Sequence, residues 1–139
     1  MRNRWNVFFA ENKTEKVWGY EILLVNNGEY CGKILGLTKN YRCSDHYHKD
    51  KHETFILMKG CILLSWEYQG ESGYEVMLPG DAFEVPQYMV HSFWGVEDSL
   101  ILEISTEDKA EDSYRNNESH KMTWKERREM KRLVRYGSR

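Results

Sequence analysis

The chain has 139 residues, enough for one domain that buries roughly two thirds of its unfolded surface and needs no staple to hold a core. It is 40% hydrophobic and 30% charged, with 14% aromatics, which excludes a disordered or low-complexity chain. The net charge of −2 gives no general affinity for nucleic acid, and no apolar run approaches the 18 residues of a membrane helix.

In chain order, the opening "MRNRWNVFFAENKTEK" carries an apolar patch too short for a signal-peptide core. From Trp18 to Ser105 nearly every segment reads as a short strand: "GYEILLVNN", "YCGKILGLT", "ETFILMKGCILLSWEY", "YEVMLPG", "AFEVP", "MVHSFWG" and "SLILEIS". Turn signals such as "NNGE", "QGESG", "LPGD" and "GVEDS" separate them, and no helical pattern intervenes. Many short strands at this spacing predict an all-β sandwich or barrel. After Ser105, "TEDKAEDSYRNNESHK" is polar and acidic and reads as an arm outside the barrel. Thr123-x-x-Glu126 is a capping-box pattern, and Met130, Leu133 and Val134 make a thin apolar stripe, so Thr123 to Tyr136 is expected to be a basic helix. From Lys121 onward eight basic residues face two acidic ones, which leaves −8 on the rest of the chain. The expected organisation is a barrel with its N-terminal arm over 1–106, a polar arm over 107–122 and the helix over 123–139.

Cys31, Cys43 and Cys61 are an odd set with no C-x-x-C spacing, so no disulfide framework is expected and a reducing cytoplasm is the simplest location. The chemistry concentrates in "SDHYHKDKHETFILMKG". In an extended strand, residues two apart share a face, so His46 and His48 project together. Glu53 follows across a short turn, and His91 enters a later strand just after a Pro-containing turn. Three imidazoles and a carboxylate suit a divalent transition metal (Zn, Fe, Mn or Ni) with positions left open for water or substrate.

This spacing resembles the two motifs of the cupin superfamily: His46, His48, Glu53 and Gly60 in the first, Gly80, Pro86 and His91 in the second. Asn40 and Tyr88 stand where the family pattern usually has glycine. The resemblance implies a cupin double-stranded β-helix with one metal held by His46, His48, Glu53 and His91, and a homodimer paired through its sheets. A narrower likeness runs from Val17 to Arg115. Its "WGYE" opening, "GKI" strand and "YH…E…G" segment are similar to the type II mannose-6-phosphate isomerases and their small sugar-isomerase relatives.

That resemblance implies aldose–ketose isomerisation of a small sugar or sugar phosphate, which needs a Lewis acid and a base. Glu103 alternates opposite Leu100, Leu102 and Ile104 in "SLILEIS", which points it into the barrel as the candidate base. Lys33 interrupts an apolar strand and is the second catalytic candidate. Arg42 shares parity with His46 and His48 and is the expected anchor for a substrate anion, with Trp94 as an expected substrate contact. Two other functions fit the same ligand set: a cupin oxygenase, and a non-catalytic sugar- or metal-binding module.

Overall fold

The computed structural model describes residues 12–137; the N-terminal arm before Asn12 and the last two residues of the expected helical segment lie outside it. Among the described residues, thirteen strands form two antiparallel sheets. The first carries β1 (Asn12–Lys16), β2 (Gly19–Asn26), β3 (Cys31–Leu37), β11 (Ser99–Ser105), β6 (Glu53–Lys59) and β9 (Ala82–Val85), hydrogen-bonded in the order β1-β2-β3-β11-β6-β9. The second carries β12 (Tyr114–Arg115), β5 (His46–Tyr47), β10 (Val90–Gly95), β4 (Tyr41–Arg42) and β13 (His120–Lys121) in that order, with β7 (Ile62–Tyr68) and β8 (Glu71–Met77) attached through β10.

Strand alternation sets the interior. On β3, β6 and β11 the buried side chains are Cys31, Lys33, Leu35 and Leu37, then Glu53, Phe55 and Leu57, then Ser99, Ile101, Glu103 and Ser105. Register stacks these into layers across the sheet. Ile101 lies between Leu35 and Leu57 in an apolar layer, each side chain contributing roughly 1.5–3 kcal/mol by burial. Next comes Glu103 between Lys33 and Phe55, then Ser105 between Cys31 and Glu53. The interior is thus apolar at one end and charged at the other.

The outer face of this sheet has its own registered row, Ile22, Ile34, Leu102, Ile56 and Ala82, spanning five strands. The helix lies on the second sheet instead.

Turn chemistry agrees with the motifs. Gly60 sits at φ 95, and a Cβ there would stand 2.3 Å from Ser99 Oγ. Gly80 sits at φ 94. Asn40 and Tyr88, the two positions where the sequence departs from glycine, both adopt φ 70, the left-handed conformation that glycine would take.

The helix α1 (Trp124–Gly137) begins as expected. Thr123 Oγ1 accepts from the Glu126 amide at 3.2 Å, and the Glu126 carboxylate accepts from the Thr123 amide at 3.0 Å. Its apolar stripe packs onto the outer side of the second sheet, where Met130, Leu133 and Val134 meet Leu63, Val76, Trp94 and Met122. The 107–122 segment is not an arm outside the barrel. It adds β12 beside β5 and β13 beside β4, with a short 3-10 turn over Ala110–Asp112. A polar sequence stitches itself in through backbone pairing, which leaves no hydrophobic signature. All three cysteines are free and buried, and no described helix is long and apolar enough to cross a membrane.

Candidate metal centre

The two sheets bring His46, His48 and His91 together, with one nitrogen from each ring inside a mutual distance of 4.8 Å. His46 and His91 are directly registered across β5 and β10. Each ring is oriented through its other nitrogen. His46 Nδ1 lies 2.8 Å from the Ser44 carbonyl, His48 Nδ1 2.6 Å from the Asp112 carbonyl, and His91 Nδ1 3.0 Å from the Met89 carbonyl. A carbonyl only accepts, so Nδ1 donates in all three rings and Nε2 is the nitrogen left to the shared site. Burial, reinforced by His91, lowers the His46 pKa to about 3, and burial also lowers that of His48. Both rings are held neutral, the state a metal needs.

Glu53 Oε2 stands 3.3 Å from His91 Nε2 and 3.6 Å from His48 Nε2. Glu53 Oε2 and His91 Nε2 are fully buried and neither has a hydrogen-bond partner among the described residues. A carboxylate oxygen and a ring nitrogen buried this close together need a positive charge between them, and a bound cation supplies it. The donor set therefore fits a divalent metal. The other Glu53 oxygen, Oε1, is held at 2.9 Å by the Lys51 ammonium. Burial pushes the Glu53 carboxyl up, but contact with His91 and the Lys51 ammonium outweigh it and hold the group well below the usual carboxylate range.

Lys51, itself 3% exposed, also lies 2.8 Å from Glu103 Oε2 and 2.9 Å from Asp108 Oδ1. Lys33 Nζ lies 2.9 Å from Asp108 Oδ2 and 3.3 Å from Glu21 Oε1. Burial works against both ammonium groups, and the surrounding carboxylates, Glu103 foremost, raise both above the ordinary lysine value. Burial raises the Glu103 carboxyl, Glu53 adds to this, and the two lysines oppose it, with a net upward shift. Glu103 and Lys33, both predicted from sequence, face the same cavity of about 320 Å³ as His46, His48 and Glu53. Lys33 is a paired cation there and has no free amine to act as a base.

Arg42 and Trp94 do not line that cavity. Arg42 pairs with Trp94 across β4 and β10, whereas His46 pairs with His91, so four steps on one chain segment match three on the other. This extra residue inverts parity between Arg42 and His46. Arg42 consequently lies on the helix side, bound to Asp45 at 2.6 Å and Glu126 at 3.3 Å, with its guanidinium 4.2 Å from the Trp94 ring centre. Trp94, an odd number of residues from His91, packs under α1 and donates its Nε1 proton to Ser65 at 3.2 Å.

Sequence reasoning missed Lys51, Asp108 and Asp112. The Asp112 carboxylate accepts from the amides of Lys49, Asp50 and Lys51, while its carbonyl orients His48. It thereby clamps the turn between His48 and Glu53. The available signal was the lysine two residues before Glu53: its parity sends it inward with Glu53.

No protein-family model matches the chain, and no curated protein matches its sequence. Solved structures do. KdgF from Halomonas sp. matches with a TM-score of 0.57 and 17% identity, covering 66% of this chain and 81% of its own. Oxalate decarboxylase from Bacillus subtilis matches with a TM-score of 0.67 and 16% identity over 76% of this chain and 30% of its own. The capsular polysaccharide assembling protein CapF from Staphylococcus aureus matches with a TM-score of 0.63 and 12% identity over 74% of this chain and 33% of its own. The chain thus spans about a third of the last two. At these identities the likeness shows the fold: two antiparallel sheets in a cupin-like sandwich, with a C-terminal helix. The three structures bear on the cupin fold and not on the mannose-6-phosphate isomerase group. The chain thus has a cupin-like fold whose histidine triad is consistent with one metal ion.

Proposed function

We propose that this protein is a metal-dependent cupin that moves a proton on a small sugar or sugar phosphate, as an aldose–ketose isomerase does. The observation that carries the reading is Glu103, a buried carboxylate with a raised pKa that lines the same cavity as His46, His48 and Glu53. A base is most effective when its pKa approaches the working pH, and burial beside Glu53 moves Glu103 in that direction. A divalent metal held by His46, His48, His91 and Glu53 Oε2 would supply a Lewis acid for the carbonyl–hydroxyl pair.

In this reading Glu103 takes the proton from C2 of an aldose and returns it to C1 of the ketose, while the hydroxyl proton passes from O2 to O1. Lys51 fixes the carboxylate through Oε2, and Lys33 remains an ammonium whose field steadies negative charge in the cavity. Among the structural neighbours, CapF is named for polysaccharide assembly, which supports a carbohydrate substrate.

The test is deuterium exchange from solvent. Metal-loaded protein should place deuterium at C1 or C2 of an aldose, ketose or phosphate ester. Glu103→Gln should slow this by roughly 10²–10⁴-fold while leaving the metal content unchanged by elemental analysis. Absence of exchange with every such compound would end the isomerase reading in favour of a binding module.

A further inference from the structure

The two lysines buried at the site already have partners. Lys33 is taken by Glu21 and Asp108, and Lys51 by Glu53, Glu103 and Asp108. Neither can receive an anion without breaking a buried ion pair. The expected anchor, Arg42, faces the helix. A negatively charged substrate group must therefore meet a different cation.

Arg115 meets that requirement. It lies on β12, an edge strand of the second sheet, and is registered directly opposite His46. His46 is in turn registered with His91, so the three residues form one row across the sheet, and Arg115 and His46 line the cavity. Directly opposed Cβ atoms in such a row are roughly 5 Å apart, well within the reach of an arginine. Arg115 lines the cavity, is exposed, and has no carboxylate partner among the described residues. Lys16, from the edge strand β1 of the other sheet, also lines the cavity and is likewise unpaired among the described residues. The two sheets thus each place a free cation on the cavity's edge.

We infer that Arg115, with Lys16 across the mouth, binds the anionic group of the substrate, a phosphate or a carboxylate, beside the histidine triad. This rests on the reading that the cavity takes a small substrate, and it does not depend on isomerisation. The planar guanidinium offers two parallel donors to either oxyanion, which a lysine cannot reproduce. An anion at this point would leave the uncharged end of the molecule to face the metal site and Glu103.

Metal-free protein titrated with inorganic phosphate, and separately with acetate, tests this by NMR through the His46 ring and the backbone amide of residue 115. Saturable shifts are expected, with the half-saturating concentration at least fivefold higher in Arg115→Gln and intermediate in Arg115→Lys. A control variant on the exposed helix face, Lys131→Gln, should match the wild type. Tighter phosphate binding identifies a phosphate ester as the substrate type, and tighter acetate binding a carboxylate. No saturable shift with either anion, or equal half-saturation in Arg115→Gln and wild type, overturns the inference. Anion binding without deuterium exchange would retain this site and remove only the isomerase reading.

Discussion

Replacing Lys51 with methionine removes one ammonium and leaves three carboxylates facing each other. Glu53, Glu103 and Asp108 each lie within 2.9 Å of its Nζ, and Glu53 and Glu103 are almost fully buried. Removing one partner of a buried ion network costs about 3–5 kcal/mol, because the remaining charges lose compensation without regaining water. Against a total stability of roughly 5–15 kcal/mol this is a large fraction. At roughly 2–8 °C per kcal/mol, the metal-free variant should melt on the order of 10–20 °C below the wild type. Adding Glu103→Gln to Lys51→Met removes one repelling charge, so the double variant should be the more stable of the two, by at least about 1 kcal/mol. Zinc should raise the melting temperature of Lys51→Met more than that of the wild type, since Glu53 Oε1 is then free for the ion. Thermal unfolding of the three proteins with and without zinc is sufficient. A loss below about 1 kcal/mol for Lys51→Met would show that the cluster is already neutral by protonation, and the charge argument for the cavity would be wrong.

Three further predictions follow from the same geometry. His48→Ala should lose most of the bound metal while retaining its β-type circular dichroism, and full occupancy by elemental analysis would contradict the triad. For metal-free protein, stability should fall as the pH drops below 6.5. His46 is held neutral with its pKa lowered to about 3, so below pH 6.5 the unfolded chain binds a proton that the folded chain refuses. This amounts to about 1.4 kcal/mol between pH 7.5 and 5.5, with His48 acting in the same direction. Glu103, whose pKa is raised, opposes the trend, so a Glu103→Gln background should give the steeper slope in urea titrations. For the expected homodimer we propose the row of Ile22, Ile34, Leu102 and Ile56 as the contact, so Leu102→Lys should yield a monomer by light scattering. A wild type that is monomeric at high concentration removes that expectation.

What the sequence made legible is what alternation and turn chemistry encode within a single segment. The strands, the capped helix, and the inward placement of Glu103 and Lys33 all follow from period-two patterning and a Thr-x-x-Glu cap. The histidine triad was legible because its members sit at turn-anchored strand entries, where register has little room to drift.

Arg42 was misplaced for the opposite reason. One extra residue between β4 and β5 turns it to the helix side, and nothing in "YRCSDHYH" marks the insertion. The same limit hid the 107–122 segment. Its contribution is made by backbone pairing and by two acidic side chains whose partners lie roughly sixty or more residues away, Asp112 beneath the His48–Glu53 turn and Asp108 between two lysines. A polar residue that closes a distant charge network looks, in one dimension, like any solvated residue. Only burial distinguishes it, and burial is a property of the folded pair of sheets. This is why the histidine triad could be read from the sequence, while the residues that orient it became visible only once the two sheets were placed face to face.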